Sequence, residues 1–142
     1  MEAQSENVES VLRGYDALNR GDLEAATSNM AADFEFTLPP MLPDYDTESR
    51  GPEEFKRVWL GWRDQFEDFR LEVEEAFEAG DGRVLVMAAT RGVGKGSRAE
   101  VRSPSFAQIW KLENGIAVSM LSLPNRATAL GELGLGPKVD WE

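Results

Sequence analysis

The sequence predicts a single α+β domain, residues 1–142, with helices gathered toward the start and an antiparallel-rich sheet after them. Three observations carry that expectation. Apolar residues recur at helical spacing in stretches that end at Phe66. Beyond it they alternate with period two. The later segments are joined by glycine turns short enough that the strands must be antiparallel neighbours.

Val8, Val11, Leu12, Tyr15 and Leu18 form the apolar stripe of a first helix, with Ser5 as its N-cap and Gly21 as its stop. Asp22 caps a short second helix through Leu23, Ala26 and Met30. Phe34–Leu38 alternates as a strand, and Pro39, Pro40 and Pro43 open a loop that runs to Arg50, the best candidate for a lid. Pro52, Glu53 and Glu54 start a third helix, because proline suits the first turn and acids suit the positive end of the dipole. Phe55, Trp59, Trp62 and Phe66 then give that helix one aromatic face.

The remainder reads as sheet. Phe69–Phe77 alternates, Gly80-Asp81-Gly82 turns, and Val84–Ala89 is apolar on both faces. A further turn spans Gly92–Ser97, and a long strand over Arg98–Leu112 is interrupted at Pro104. Asn114-Gly115 makes a hairpin into a last strand, Ile116–Leu123. Asn125 caps a terminal helical turn stopped by Gly134. A strand apolar on both faces needs cover on both; the third helix covers one, and a second subunit is the expectation for the other.

Composition removes several chemistries. The chain has no cysteine and no histidine, so thiolates, disulfides, imidazole bases and the commonest zinc ligands are absent. Acid–base work must fall to carboxylates, tyrosine, lysine or water. A net charge of −11 repels phosphate backbones and anionic bilayers, so neither nucleic acid nor membrane is an expected partner. Met1–Glu9 carries acids without an apolar run, which predicts neither a signal peptide nor an anchor and makes a cytoplasmic protein the expectation. Asp44, Asp46 and Glu48 have the first three spacings of a calcium loop, but Ser49 and Phe55 stand where it needs glycine and glutamate. Gly92–Ser97 imitates a phosphate loop and fails its pattern, since Ala89 and Gly96 occupy required positions. No metal or cofactor is expected.

Tyr15–Leu23, Arg50–Phe55, Ala79-Gly80-Asp81, Phe106–Leu112 with Asn114-Gly115, and Asn125–Leu130, in that order, resemble the SnoaL-like branch of the nuclear transport factor 2-like superfamily across nearly the whole chain. The resemblance implies a cone: a curved sheet wrapped by three helices around a central pocket. It does not imply one activity, since such proteins include isomerases, cyclases, hydrolases and members that only bind or assemble. The tyrosine that donates to a developing oxyanion in the isomerases matches Tyr15. Their base aspartate falls on Leu38, and their second oxyanion donor falls on Gln108. The paired aspartates and arginine of the hydrolases have no clear counterpart on the late strands.

In such a cone Trp59, Trp62, Phe66, Phe106 and Trp110 are core residues or pocket walls, with Met87 and Met120 as adaptable fillers. Tyr15 and Gln108 are either structural hydrogen-bonding residues or the polar contacts to a ligand. Glu75 shares the parity of Leu71 and Val73: without a bulge it faces inward and could serve as a base, and with one it is solvated. The leading expectation is a pocket for a small, mostly apolar molecule bearing a carbonyl or hydroxyl group. An isomerase, cyclase or hydrolase using Tyr15 with Glu75 or water is the catalytic alternative. A structural or partner-binding homodimer is the third.

Overall fold

The structure, a computed structural model, describes residues 6–37, 48–64, 66–96 and 98–135, with the backbone alone for Glu48, Ser49 and Trp62. Ser5, Leu38 and most of the loop expected as a lid, with its acidic spacing at Asp44 and Asp46, lie outside the described residues. Helices α1 (Glu6–Arg20) and α2 (Leu23–Thr27) lead into β1 (Met30–Thr37), then β2 (Glu48–Arg50), α3 (Pro52–Arg63) and β3 (Phe66–Gly80). There follow β4 (Arg83–Gly94), β5 (Glu100–Arg102), β6 (Phe106–Glu113), β7 (Ile116–Leu123) and α4 (Arg126–Glu132). The strands form one curved, unclosed seven-stranded sheet in the order β2-β1-β7-β6-β4-β3, with β5 pairing off β4. All pairings are antiparallel except β1 with β7.

Local chemistry sets the boundaries. Gly21 adopts φ +80° and ends α1. Asp22 then accepts a hydrogen bond from the Ala25 amide at 3.1 Å and opens α2. The second helix stops at Thr27, so Met30 belongs to β1 and not to α2 as expected. At the other end Asn125 accepts from the Thr128 amide at 2.8 Å and starts α4. Two hairpins use paired left-handed residues, Asp81-Gly82 and Asn114-Gly115, which match the right-handed twist of their flanking strands. Gly82 is doubly constrained: its φ is +76°, and an added Cβ would sit 2.2 Å from the Leu112 carbonyl oxygen.

The sheet is buried on both faces over β4. Val84, Val86 and Ala88 face α1 and α3 in the main core. Leu85 and Met87 face outward with Ala107 and Ile109, beneath Ala129 and Leu133 at the C-terminal helix. Cover for this part of the outer face, expected from a second subunit, therefore comes from α4. The third helix also ends earlier than its spacing predicts. Arg63 is its last residue, and Phe66 begins β3, where it stacks on Phe69 at 5.4 Å between ring centroids. An aromatic cluster fills the main core, with Phe34 against Phe36 at 5.7 Å, Trp110 at 5.8 Å and Phe55 at 6.2 Å.

Asn19 ties α1 to β3. Its amide nitrogen donates to the Leu71 carbonyl at 2.9 Å, and its amide oxygen accepts from the Leu71 amide at 2.8 Å. The side chain thus supplies the partner that this outermost strand lacks on its free edge. Asn19→Ala is expected to lower stability by about 1–3 kcal/mol, because two partly buried backbone groups lose their partners at once. Urea unfolding of the variant and the wild type measures this; a loss below about 0.5 kcal/mol, the range of neutral surface changes, would refute the role.

Candidate functional site

A cavity of about 40 Å³ lies between α1, α3 and the inner face of the sheet. Tyr15, Trp59, Phe106, Gln108 and Trp110, all anticipated as pocket residues, line it. Thr37, Phe55 and Met120 line it too. The strands bring these groups together through their period: Phe106, Gln108 and Trp110 alternate onto one face of β6, and Tyr15 projects onto them from α1.

The polar atoms at the wall form a continuous chain. The Trp110 indole nitrogen donates to the Tyr15 hydroxyl at 2.9 Å. The Tyr15 hydroxyl donates to Oε1 of Gln108 in a short contact. Nε2 of Gln108 donates to the Ser122 hydroxyl at 3.2 Å, and that hydroxyl donates to the Thr37 carbonyl at 2.9 Å. The Ser122 amide donates in turn to the Thr37 hydroxyl at 2.7 Å. Tyr15 is only 3% exposed and Gln108 and Ser122 each 7%, so every one of these groups depends on a protein partner. Burial pushes the Tyr15 phenol well above the ordinary tyrosine range, an effect only partly offset by the bond from Trp110.

Other anticipated residues lie elsewhere. Met87 is on the outer face, against Leu85, Ile109 and the α4 cluster, and so cannot adapt the pocket wall. Its neighbours Val86 and Ala88 take the inner positions, and strand alternation forces Met87 outward. Phe66 lies at the start of β3 beside Arg63, Asp64 and Lys95, not at the cavity. The side chain of Trp62 and the whole of Leu38 lie outside the described residues.

Glu75 also departs from the inward reading. The pairing of β3 with β4 shifts between Val73 and Glu75, so Val73 pairs with Ala88 while Glu75 pairs with the outward Met87. Glu74 is the extra residue, and the bulge reverses the face on which Glu75 falls. Its carboxylate makes a two-pronged pair with Arg126 at the start of α4, at 2.8 and 3.0 Å. The hydrogen bond from Arg126 holds its carboxyl below the usual range, the reverse of what a base poised in an apolar pocket requires. Among the described residues no aspartate or glutamate lines the cavity, and no cluster of acids could hold a metal ion.

Ser122 and Thr37 were not anticipated. Ser122 stands opposite Gln108 across the β6–β7 ladder because the register shifts between Lys111 and Leu112. A larger groove of about 460 Å³ adjoins the cavity, sharing Phe36, Thr37 and Met120 with it, and carries the exposed Arg50–Glu35 ion pair on its wall. No described helix is long and apolar enough to cross a membrane.

Comparison with known proteins agrees with this architecture. An NTF2-like protein of unknown function from Burkholderia pseudomallei superposes with a TM-score of 0.73 at 24% identity, covering 90% of this chain and 97% of its own. TerC, crystallised with polyporic acid, gives 0.72 at 24% identity over 91% of this chain and 98% of its own. A hypothetical protein with a ketosteroid isomerase-like fold from Catenulispora acidiphila, in complex with trimethylamine, gives 0.69 at 18% identity over 99% of both chains. At these identities the likeness establishes the fold alone. No functionally curated protein matches in sequence. The SnoaL-like domain matches residues 11–120, most of the length, and the chain belongs to that family.

Proposed function

We propose that the protein binds a small, mostly apolar molecule bearing a carbonyl or hydroxyl group, in the cavity walled by Tyr15 and Gln108. The observation that carries this reading is the composition of the wall: aromatic and aliphatic side chains around one short run of polar atoms, with no carboxylate among the described residues. The catalytic alternative loses its candidate carboxylate and is left with water as the base, because Glu75 is engaged by Arg126 on the opposite face of the sheet. The ligand-bearing neighbours support the reading at the level of the fold, which holds polyporic acid in one relative and trimethylamine in another.

The volume of about 40 Å³ exceeds the roughly 30 Å³ share of one water and falls far below the roughly 150 Å³ that admits benzene. Occupation by a metabolite therefore displaces side chains. The adjoining groove shares Phe36, Thr37 and Met120 with the cavity, so movement of those residues joins the two spaces.

Thermal shift against a panel of hydrophobic metabolites, confirmed by native mass spectrometry, is expected to find stabilising ligands. The double variant Tyr15→Phe/Gln108→Leu is expected to weaken them about fivefold or more, since it removes the Gln108 contact, about 1 kcal/mol net, together with the Tyr15 hydroxyl that holds the amide in place. Hits that bind the double variant unchanged would show that the polar contacts are misassigned. A panel without any hit would count against the binding reading itself.

Tyr15 gives a separate, ligand-free test. Its folded-state pKa is raised, so the stability tied to the neutral phenol is fully present below the ordinary value of 10.0 and is lost as pH rises through the elevated folded value. The Tyr15 ¹³Cζ resonance is expected to stay that of a phenol a full unit above about pH 10 for as long as the chain remains folded. Titration near pH 10 without unfolding would mean that the hydroxyl is open to solvent.

A further inference from the structure

Trp110 walls the cavity on one side and a second space on the other. Behind it, toward α2 and the start of β1, lies a cavity of about 30 Å³ bounded by Gly14, Ala26, Met30, Leu112 and Ala117. Trp110 is the one described residue that lines both spaces. The rear space in turn shares Ser10, Gly14, Ala26 and Asn29 with a surface groove of about 850 Å³ between α1, α2 and the β6–β7 hairpin, so its contents have a way out to solvent.

Gly14 helps to keep the rear space open. It stands near the middle of α1, where glycine weakens a helix relative to alanine. Neither a left-handed backbone nor a close approach requires it: apart from the backbone of α1, an added Cβ would have only the Ala26 carbonyl oxygen within 4 Å, at 3.9 Å. A close-packed interior yields where free volume lies behind a wall and hardly elsewhere. The front cavity, at about 40 Å³, has to enlarge for a ligand. Of its walls, Phe36, Thr37 and Met120 back onto the outer groove, and Trp110 backs onto the rear space.

We infer that the space behind Trp110 is a relief volume into which the indole moves as a ligand enters, so that Gly14, Ala26 and Ala117 determine the size of ligand the front pocket admits. None of the three lines the front cavity; they act through Trp110, as positioning residues. This rests on the pocket reading above and adds a size rule to it. A small tilt of the ring leaves its 2.9 Å bond to Tyr15 within hydrogen-bond range. The relief is modest: about 30 Å³ is close to the share of one water and gives room for roughly one more methylene.

Phenyl alkyl ketones from acetophenone upward, lengthened by a methylene at a time, serve as probes in NMR titrations of the full chain. Each methylene the wild type accommodates is expected to tighten binding about fourfold, until a limiting length is reached. Gly14→Ala and Ala117→Val add methyl groups to the rear space from α1 and from β7. Each is expected to shorten the limiting length by one carbon, with the shortest ketone affected least. Gly14→Ala is also expected to raise Tm, which separates its weaker binding from any loss of structure. The Trp110 indole N–H resonance is expected to move further with each longer ketone in the wild type, and to move less in the variants. An unchanged length profile in whichever variant folds, or a Trp110 resonance indifferent to the longest bound ketone, overturns the inference and leaves the pocket reading standing. Failure of both variants to fold overturns it too, since the space they fill would not be free. A wild type whose cavity resonances respond to none of the ketones overturns both readings together.

Discussion

The hydrogen bond between Tyr15 on α1 and Gln108 on β6 joins the helical layer to the centre of the sheet at a buried position. Its neighbours are Phe36, Phe55, Trp59 and Phe106, none of which can accept a phenolic proton. The pair therefore has to be satisfied from within. Trp110, Ser122 and Thr37 complete it, and each of the three is held by its own strand. A buried polar group left unpaired costs about 1–3 kcal/mol, and a partly satisfied chain is worse than an apolar core. The network thereby links α1, β6, β7 and β1.

Register delivers the residues to that network. Side chains on a strand alternate, so one extra residue exchanges the two faces for everything beyond it. Two such shifts matter. On β3 the extra Glu74 sends Glu75 and Phe77 outward, where Glu75 meets Arg126 and Phe77 joins the cluster beneath α4. On β7 the ladder runs Leu112 to Ala117 and then Lys111 to Ser119, so Val118 is extra and Gln108 meets Ser122. Continued without the shift, the same hairpin would set Leu121 opposite Gln108, and the amide would lose its oxygen partner. One bulge removes a carboxylate from the pocket and the other supplies a hydroxyl, and together they make the wall neutral.

These shifts also explain how much the sequence disclosed. Helix stripes, caps and turns are local, and α1, the start of α3, the Asp81-Gly82 and Asn114-Gly115 hairpins and the Asn125 cap were legible from a few adjacent residues each. The set Tyr15, Trp59, Phe106, Gln108 and Trp110 was legible because β6 carries no shift between Phe106 and Trp110, so simple alternation holds. Glu75 was undecided because its face hangs on a bulge that no glycine or proline marks. Met87 was misplaced because Val84–Ala89 is apolar throughout and shows no alternation to read. Phe66 continued the helical spacing of α3, yet Asp64 and the strand pairing to Gly94 end the helix first. Ser122 and Thr37 became visible only with a partner strand in place.

A neutral wall inside a chain of net charge −11 is a selective arrangement. The acidic surface disfavours anions before they arrive, and at the wall a buried anion would meet neutral N–H and O–H donors without a cation to offset its desolvation. Tyr15 is itself held in the neutral form by burial. Cations fare no better, since no carboxylate lines the cavity among the described residues. What remains favourable is uncharged, largely apolar surface. Its transfer from water contributes about 25 cal/mol per Å², part of which goes into parting the packed aromatics. Opening toward the groove at Phe36 and Met120 leaves the α1–β6 bond intact, because neither takes part in the Tyr15–Gln108 contact. The pocket can thus widen at its edge while its polar floor stays as the register of the strands has set it.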